Sequence, residues 1–311
     1  MDKKSGKLAQ SLRHVHWNFH VQDKHFAIVK QVTKLESVAF HRPSQVFITR
    51  IGPWINSNPA IRSLSIKETR GFELELLDAV CSSLALTQLQ RLELGRGHEF
   101  SSGELLRLLQ GIPNLEYLNI FYDEFQTMSR EDTEAPLDLV GLTRLQTLIV
   151  RHQGVGSSAN IASLQSWISI VAGESPLHTL TIVADDEREI KWHKKADFFC
   201  SWPLLQTLDI RYMHLAYDRF SRILKQCKHL ESVVLRMSPG SLVGYSRGII
   251  DHDLEVVCGP PDRRVRYPLA TYLTRKYKAE SRRNSAVRFF INHKSPMITE
   301  DASQFIAATL S

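Results

Sequence analysis

The chain has 311 residues, of which 43% are hydrophobic and 23% are charged. This composition is that of an ordinary globular protein, and it excludes a collagen-like or intrinsically disordered chain. The formal net charge of +6 is too small to indicate nucleic-acid binding by itself, and the four cysteines form no C-x-x-C pair that would indicate a zinc site.

One short pattern recurs along the chain: an apolar residue, two variable residues, an apolar residue, one variable residue and a third apolar residue. Clear copies run from Leu89 to Leu94 and from Leu115 to Ile120. The copies begin at Leu12, Leu35, Ile61, Leu89, Leu115, Leu145, Leu177, Leu205 and Leu230. A single copy would be uninformative because leucine is common, but nine copies at a period of roughly 20–30 residues predict a repeat protein.

Each copy predicts a short strand with one buried face, since apolar residues alternate from its second apolar position onward. Apolar residues at helical spacing predict helices over residues 72–80, 103–109, 161–168 and 216–224, and Gly95 and Gly97 predict a turn at a strand exit. Strand and helix, repeated and stacked, predict a horseshoe-like α/β solenoid of about nine irregular repeats over residues 1–240. We expect a parallel sheet on its concave side and helices on its convex side.

Residues 241–311 lack the repeat, and we expect them to form a basic C-terminal cap or tail because the ends of a solenoid need a covering element. Strands are predicted at 254–257 and 287–291, and a helix is predicted from Pro268 through Tyr277. The basic residues of this region are Arg263, Arg264, Arg266, Arg275, Lys276, Lys278, Arg282, Arg283 and Arg288. They could bind phosphate backbones or form a solvated face of the cap, and the nearby acids Asp251, Asp253 and Glu255 favour the solvated face.

Over about residues 8–240 the repeats resemble the leucine-rich-repeat family, and their long, uneven spacing is similar to that of fungal F-box/leucine-rich-repeat proteins of the ribonuclease-inhibitor-like type. The resemblance implies a scaffold that holds a protein partner, either as the substrate-recognition part of an F-box ubiquitin ligase or as a remnant of one. The family's Asn or Cys three residues past the last apolar position is replaced by Gly97, Asp123, Gln153 and Met213. No F-box-like helical opening precedes the first repeat, so a Skp-type adaptor is expected only if an F-box is present elsewhere.

The variable residues of each strand should point to the concave surface, because side chains alternate between the faces of a strand. They form three predicted columns. The first column holds His14, Ser37, Ser63, Arg91, Tyr117, Thr147, Thr179, Thr207 and Ser232. The second holds His16, Ala39, Ser65, Glu93, Asn119, Ile149, Thr181, Asp209 and Val234. The third holds Asn18, His41, Lys67, Gly95, Phe121, Arg151, Val183, Arg211 and Arg236.

The middle of the predicted sheet combines aromatic and arginine side chains, which is the composition of a binding hot spot. The residues predicted to contact a partner are Arg91, Tyr117, Asn119, Phe121, Arg151, Arg211 and Arg236. The alternative is that a loop or the tail covers Tyr117 and Phe121. The arginines of the third column favour an acidic or phosphorylated ligand, because they can form charge-assisted hydrogen bonds.

Catalytic, metal and cofactor sites are not predicted. The sequence has no P-loop, no dinucleotide-binding glycine pattern, no H-E-x-x-H and no G-x-S-x-G. His14, His16, His20 and His25 are close in sequence, but only Asp23 offers a further ligand, so exposed histidines are favoured over a zinc site.

The sequence therefore predicts a protein-interaction scaffold rather than an enzyme, monomeric outside its complex. No stretch approaches the roughly 18 apolar residues of a membrane span, and the first residues lack the apolar segment of a secretory signal. We expect no membrane contact and a cytoplasmic or nuclear location. The alternative is a nucleic-acid-associated solenoid that binds through the basic C-terminal stretch.

Overall fold

The computed structural model describes residues 11–68, 87–98, 100–123, 141–153, 158–184, 190–191, 196–214, 222–223, 226–236, 254–258, 271–278 and 284–291. The chain divides into two compact units. Unit 1 comprises Met1–Gly154 and Ser166–Pro176, and unit 2 comprises Val155–Gln165 and Leu177–Ser311. Each unit is described separately below.

Unit 1 contains a parallel sheet whose strands follow one another in chain order. The strands are β1 (His14–His20), β2 (Ser37–His41), β3 (Ser63–Lys67), β4 (Arg91–Leu94), β5 (Tyr117–Asp123) and β6 (Thr147–Gln153). Each strand pairs in parallel with the next one, from β1 through to β6. Every one of these strands begins at or beside its predicted position, so the repeat pattern is confirmed in this unit.

Backbone hydrogen bonds fix the spacing from one repeat to the next. The carbonyl oxygen of Arg13 accepts two hydrogen bonds, from the backbone N–H groups of Glu36 and Ser37. In the next repeat, the Glu36 carbonyl accepts from Arg62 and Ser63 in the same way. Two consecutive backbone N–H groups also donate to one carbonyl oxygen in five further places, at Arg62, Gln90, Glu116, His178 and Gln206. Because these bonds involve only main-chain atoms, they hold the register whatever the neighbouring side chains are.

The apolar positions of the repeat form the core. In β5, Leu118 and Ile120 are fully buried, as is the preceding Leu115. Burial of each such side chain stabilises the fold by about 1.5–3 kcal/mol relative to leaving it in water. Aromatic rings fill the core near β2, where Phe40 contacts Phe47 and Trp54 at centroid distances of 5.0 and 5.9 Å. The buried side of the sheet therefore packs against the helical segments between the strands.

Four α-helices are described: α1 (Asp23–Val29), α2 (Gln45–Asn56), α3 (Ser102–Gln110) and α4 (Ser158–Ala172). Helices α3 and α4 confirm the predictions over 103–109 and 161–168. Helix α3 begins with a capping box, in which Ser101 and Glu104 satisfy each other's backbone N–H groups. The helices predicted over 72–80 and 216–224 lie outside the described residues, apart from Arg222 and Ile223. Among the described residues, no helix is both long and apolar enough to cross a bilayer.

Unit 2 also contains a sheet of mostly parallel strands. Its strands are β7 (Thr179–Ala184), β8 (Ile190–Lys191), β9 (Thr207–His214), β10 (Ser232–Arg236), β11 (Leu254–Cys258), β12 (Thr271–Lys278) and β13 (Asn284–Ile291). Strand β9 pairs in parallel with β7, β8 and β10, and β11 pairs in parallel with β10 and β13. The predicted strands at 254–257 and 287–291 are confirmed. Each unit thus has the architecture of an α/β leucine-rich-repeat solenoid.

The helix predicted from Pro268 through Tyr277 is wrong, because Thr271–Lys278 forms strand β12. This strand pairs antiparallel with β13 along its whole length. Its sequence, TYLTRKYK, is rich in threonine and tyrosine, which favour a strand, and pairing with β13 satisfies its backbone. The boundary at residue 240 between repeats and a cap stays a prediction, with β11, β12 and β13 lying in the proposed cap region.

Two buried polar residues link consecutive repeats from a position that the sequence pattern did not single out. Asn58 lies three residues before the anchor Ile61, and its Nδ2 donates to the Trp54 carbonyl at 3.0 Å while its Oδ1 accepts a long hydrogen bond from the Leu35 backbone N–H at 3.5 Å. Cys227 lies three residues before Leu230, and its single S–H donates toward the carbonyl oxygens of Phe199 and Trp202, which lie 3.5 and 3.6 Å from Sγ. In these repeats, a polar side chain before the strand therefore reaches the backbone of the previous repeat.

Candidate ligand-binding face

The sheet of unit 1 carries two columns of variable residues on the face opposite its core. The first column brings together His14, Ser37, Ser63, Arg91, Tyr117 and Thr147. The second brings together His16, Ala39, Ser65, Glu93, Asn119 and Ile149. Both columns have the predicted register in this unit. We call the face that bears them the column face.

The third column is confirmed only in part. Phe121 lies beside Arg151, as predicted. In unit 2, however, Arg236 pairs with His214 and not with Arg211, because the register shifts after Leu235. A similar shift in β1 places His20 instead of Asn18 beside His41. Arg211 and Arg236 therefore do not occupy one column, and their side chains lie outside the described part of the structure.

A polar network joins β3, β4 and β5 on the column face. The guanidinium carbon of Arg91 lies 3.4 Å from the centroid of the Tyr117 ring, and Arg91 Nη2 lies 2.8 Å from Glu93 Oε1. The other carboxylate oxygen, Glu93 Oε2, accepts a hydrogen bond of 2.8 Å from the Ser65 hydroxyl. Asn119 interacts with the Tyr117 side chain from the neighbouring position on β5. These contacts fix the Arg91 side chain over the tyrosine.

The network shifts two pKa values in opposite directions. Burial acts to raise the pKa of the Glu93 carboxyl, but hydrogen bonds from Arg91 and Ser65, with the positive charges of Arg91 and Lys67, outweigh it and lower that pKa. Burial raises the pKa of the Tyr117 hydroxyl, and the adjacent Arg91 charge only partly opposes this effect. At neutral pH the face therefore presents an ionised Glu93 and a neutral Tyr117.

Phe121 is not an exposed aromatic, so that part of the expectation is wrong. Its side chain is only 4% exposed. Strand β4 ends at Leu94, and the chain turns at Gly97, where φ is 81°. This turn, predicted from Gly95 and Gly97, carries Arg96 over the Phe121 ring at 5.4 Å from its centroid. Arg151, beside Phe121 on β6, is exposed.

A groove of about 310 Å³ lies on the column face over strands β1 to β4. Its floor is formed by small side chains, those of Ser37, Ala39, Ser63 and Ser65. Larger polar side chains stand around this floor. They are His14 and His16 on β1, Lys67 on β3, and Arg91 and Glu93 on β4.

Sequence reasoning missed this groove, because it placed the site over the middle strands. The available signal was the run of serine and alanine at the same two positions of two consecutive repeats, flanked by histidines on one side and charges on the other. Small residues between larger ones leave a depression on the face of a sheet. Aromatic residues, by contrast, indicate a binding site only when they are exposed.

No set of three or more His, Cys, Asp or Glu side chains is placed to hold a metal ion within the described ranges. His14 and His16 are exposed on β1. His25 belongs to the start of helix α1, where its Nδ1 accepts a hydrogen bond of 3.0 Å from the Gln22 backbone N–H. Of the basic C-terminal residues, Arg275, Lys276, Lys278 and Arg288 lie on β12 and β13, while Arg263, Arg264, Arg266, Arg282 and Arg283 lie outside the described residues.

No protein-family profile and no curated protein match the sequence, whereas solved structures do. Among solved structures, this chain is similar to a protein chain in the crystal structure of the TLR13–ssRNA13 complex, with a TM-score of 0.47 and 15% sequence identity. The match covers 83% of this chain and 38% of the other chain. This chain is also similar to a leucine-rich-repeat protein of Leptospira interrogans, with a TM-score of 0.23 and 11% identity, over 81% of this chain and 92% of that one. The chain thus spans little more than a third of the first protein.

Proposed function

We propose that this chain is a protein-binding scaffold that docks its partner on the column face of unit 1. The observation that carries the proposal is the pair formed by Arg91 and Tyr117, which is held in place by Glu93 and flanked by Asn119. Tyrosine and arginine are the residue types that most often dominate the energetics of protein interfaces.

The arrangement favours binding with little loss of conformational freedom. Arg91 is 46% exposed, yet its guanidinium is already ordered by the Tyr117 ring and the Glu93 carboxylate. Ordering a long side chain at an interface costs about 0.5–1.5 kcal/mol, and this cost is reduced when the side chain is fixed beforehand. The parallel strands below it are held by main-chain bonds, so we expect the backbone to move little on binding.

Within this proposal, the resemblance to fungal F-box/leucine-rich-repeat proteins favours a role as the substrate-recognition part of a ubiquitin ligase. That role requires an F-box elsewhere in the protein or its gene, because a Skp-type adaptor binds through that segment. Co-precipitation of a Skp-type adaptor with the full-length gene product tests this narrower role. Absence of the adaptor from the precipitate removes the ligase role and leaves the scaffold proposal standing.

The scaffold proposal is tested by affinity purification and quantitative mass spectrometry of cells that express the wild type or a variant. The test variant is Tyr117→Ala with Arg151→Glu, both on the face. The control is Arg144→Glu, which changes charge at an exposed residue of the turn before β6. We expect at least one partner to be depleted by the test variant and retained by the control. If the two variants recover the same partners as the wild type, the part of the column face on β5 and β6 is not the docking surface.

The alternative, a nucleic-acid-associated solenoid, rests on the basic C-terminal stretch. It predicts binding of a single-stranded RNA or DNA probe with an affinity that falls steeply with salt. Substituting Arg263, Arg264, Arg282 and Arg283 by alanine should then weaken binding. Unchanged binding by this variant rejects the alternative.

A further inference from the structure

We propose that the groove over β1 to β4 binds an extended acidic segment of the partner, in which two carboxylate side chains are four residues apart. This inference rests on the proposed function, since it names the chemistry of one part of the same face. It concerns strands β1 to β4, where Arg91 is the groove residue that the sequence also predicted to contact a partner.

The charges around the groove favour an anion. Lys67 and Arg91 are both exposed and positively charged, and Glu93 is the acidic side chain that lines the groove with them. Both oxygens of Glu93 already accept, from Arg91 Nη2 and from the Ser65 hydroxyl, each at 2.8 Å. Glu93 therefore compensates one of the two positive charges and leaves an excess that one acidic side chain can match. The second acidic side chain would lie at the β1 end of the groove, where His14 and His16 offer imidazole N–H donors.

The Arg91 guanidinium keeps donors for a ligand. It has five N–H groups, and the ion pair with Glu93 is made through Nη2. Stacking on Tyr117 fixes the plane of the guanidinium without using its N–H groups. A guanidinium held in this way can present its remaining edge to a carboxylate.

The width of the groove sets the spacing of the ligand's charges. From β1 to β4 there are three strand spacings of about 4.8 Å each, which gives about 14 Å between the histidines on β1 and Arg91 on β4. Four residues of an extended peptide span about the same distance, at about 3.4 Å per residue. In such a peptide, residues four apart project from the same face, so both can point into the groove.

The floor accommodates the residues between the two acids. Ser37, Ala39, Ser63 and Ser65 are small, so a peptide lying across the strands meets no large side chain between His14 and Arg91. The sheet's own backbone groups are paired along the strands. The Ser37 and Ser63 hydroxyls are therefore the groups positioned to bond the peptide backbone.

The proposal is tested by selecting peptides from a random phage-displayed library against the purified full-length chain. Three proteins are compared: the wild type, Lys67→Glu, and a control, Lys24→Glu. Lys24 is exposed on helix α1 and does not line the groove. We expect wild type and control to enrich peptides with two acidic residues four positions apart, and Lys67→Glu to lose that enrichment. Circular dichroism of each variant verifies that it is folded.

The selected peptide is then measured directly by fluorescence anisotropy. We expect Lys67→Ala to weaken its binding by about fivefold, as loss of one exposed ion pair does. Replacing both acids by glutamine, or moving them two residues closer together, should weaken binding by at least as much. The proposal is overturned if the enriched peptides lack acidic residues, if their spacing is random, if nothing is enriched, or if Lys67→Ala binds as the wild type does.

The outcomes separate this inference from the scaffold proposal. If partners depend on Tyr117 and Arg151 but the enriched peptides are not acidic, the scaffold proposal stands and the acidic subsite is rejected. Acid-dependent peptide binding without any partner sensitive to Tyr117 would relocate the docking surface to the groove.

Discussion

Arg42 and Glu68 occupy the same place in two consecutive repeats, each with a backbone φ of 49°, and their side chains meet with Arg42 Nη2 2.6 Å from Glu68 Oε2. Each residue directly follows a strand, β2 or β3. The hydrogen bond from Arg42 lowers the pKa of the Glu68 carboxyl. Because both side chains are about half exposed, the ion pair itself contributes at most about 1 kcal/mol. At each strand exit the left-handed backbone therefore lowers the stability of the fold, while the ion pair between the two side chains raises it.

Replacing Glu68 by glycine and by alanine separates these two effects. Both variants lose the ion pair, but alanine keeps the cost of a left-handed backbone, about 1–2 kcal/mol, while glycine does not. Glycine also gains freedom in the unfolded chain, which offsets part of that relief. We expect Glu68→Gly to be more stable than Glu68→Ala by about 1 kcal/mol in urea unfolding. Equal stability would show that the turn relaxes to another backbone conformation.

Glu93 should support the fold in a pH-dependent way. Its pKa in the folded chain is lowered from 4.5, so its contribution to the free energy of unfolding is complete above the unfolded value and is lost as pH falls through the folded value. We expect Glu93→Gln to cost about 1–2 kcal/mol at neutral pH. The difference from the wild type should shrink steadily below pH 4.5. Glu174→Gln, at an exposed site, is the matched control for the loss of a carboxyl group. A constant difference at all pH values would contradict the assignment.

Asn58 should be more important for stability than its loop position indicates. It is fully buried, and its amide bonds the Trp54 carbonyl and the Leu35 backbone. Asn58→Ala removes the acceptor of the buried Leu35 N–H and one donor to the Trp54 carbonyl, which still accepts from Ser57. We therefore expect a loss of about 1–3 kcal/mol in the free energy of unfolding. Asn114→Ala removes a hydrogen bond to the Thr87 carbonyl at a more exposed position and should cost less. The idea fails if the two variants unfold at the same urea concentration.

Cys227 should resist alkylation in the folded protein. Burial, with a smaller effect of Cys200, raises the pKa of its thiol to about 12, so almost no reactive thiolate is present near pH 8. We expect iodoacetamide to modify Cys227 only after denaturation, as measured by peptide mass spectrometry. Rapid labelling of the native chain would show that this part of unit 2 opens frequently.

The strands and two of the three columns of unit 1 could be predicted, because the anchor and the strand have a constant spacing in every repeat. Leu115 and Leu145 are buried for the same reason, and their strands align residue by residue. The third column depends on how each strand ends, and the register shift after Leu235 cannot be read from apolar spacing. The Phe121 ring is contacted by Arg96, a residue of a different repeat, and apolar spacing does not predict such a contact.

The other failures have a similar cause. The spacing of apolar residues over Thr271–Lys278 is compatible with a helix when the segment is considered alone. The segment forms a strand because it pairs with β13. The groove arises because four residues of β2 and β3 have small side chains, and it becomes visible only when the strand register places them side by side. They are Ser37, Ala39, Ser63 and Ser65. Local spacing therefore predicts the repeating elements, while the surfaces depend on contacts between repeats.

The doubly accepting carbonyls that join one repeat to the next have an evolutionary consequence. They belong to the main chain, so a mutation on the column face can change what the surface recognises without disturbing the bonds that set the distance between strands. Residues such as Ser63 and Arg91 can therefore be exchanged independently of the leucines beneath them. A scaffold of this kind can diverge in specificity faster than it diverges in architecture, and engineering of its face can proceed one strand at a time.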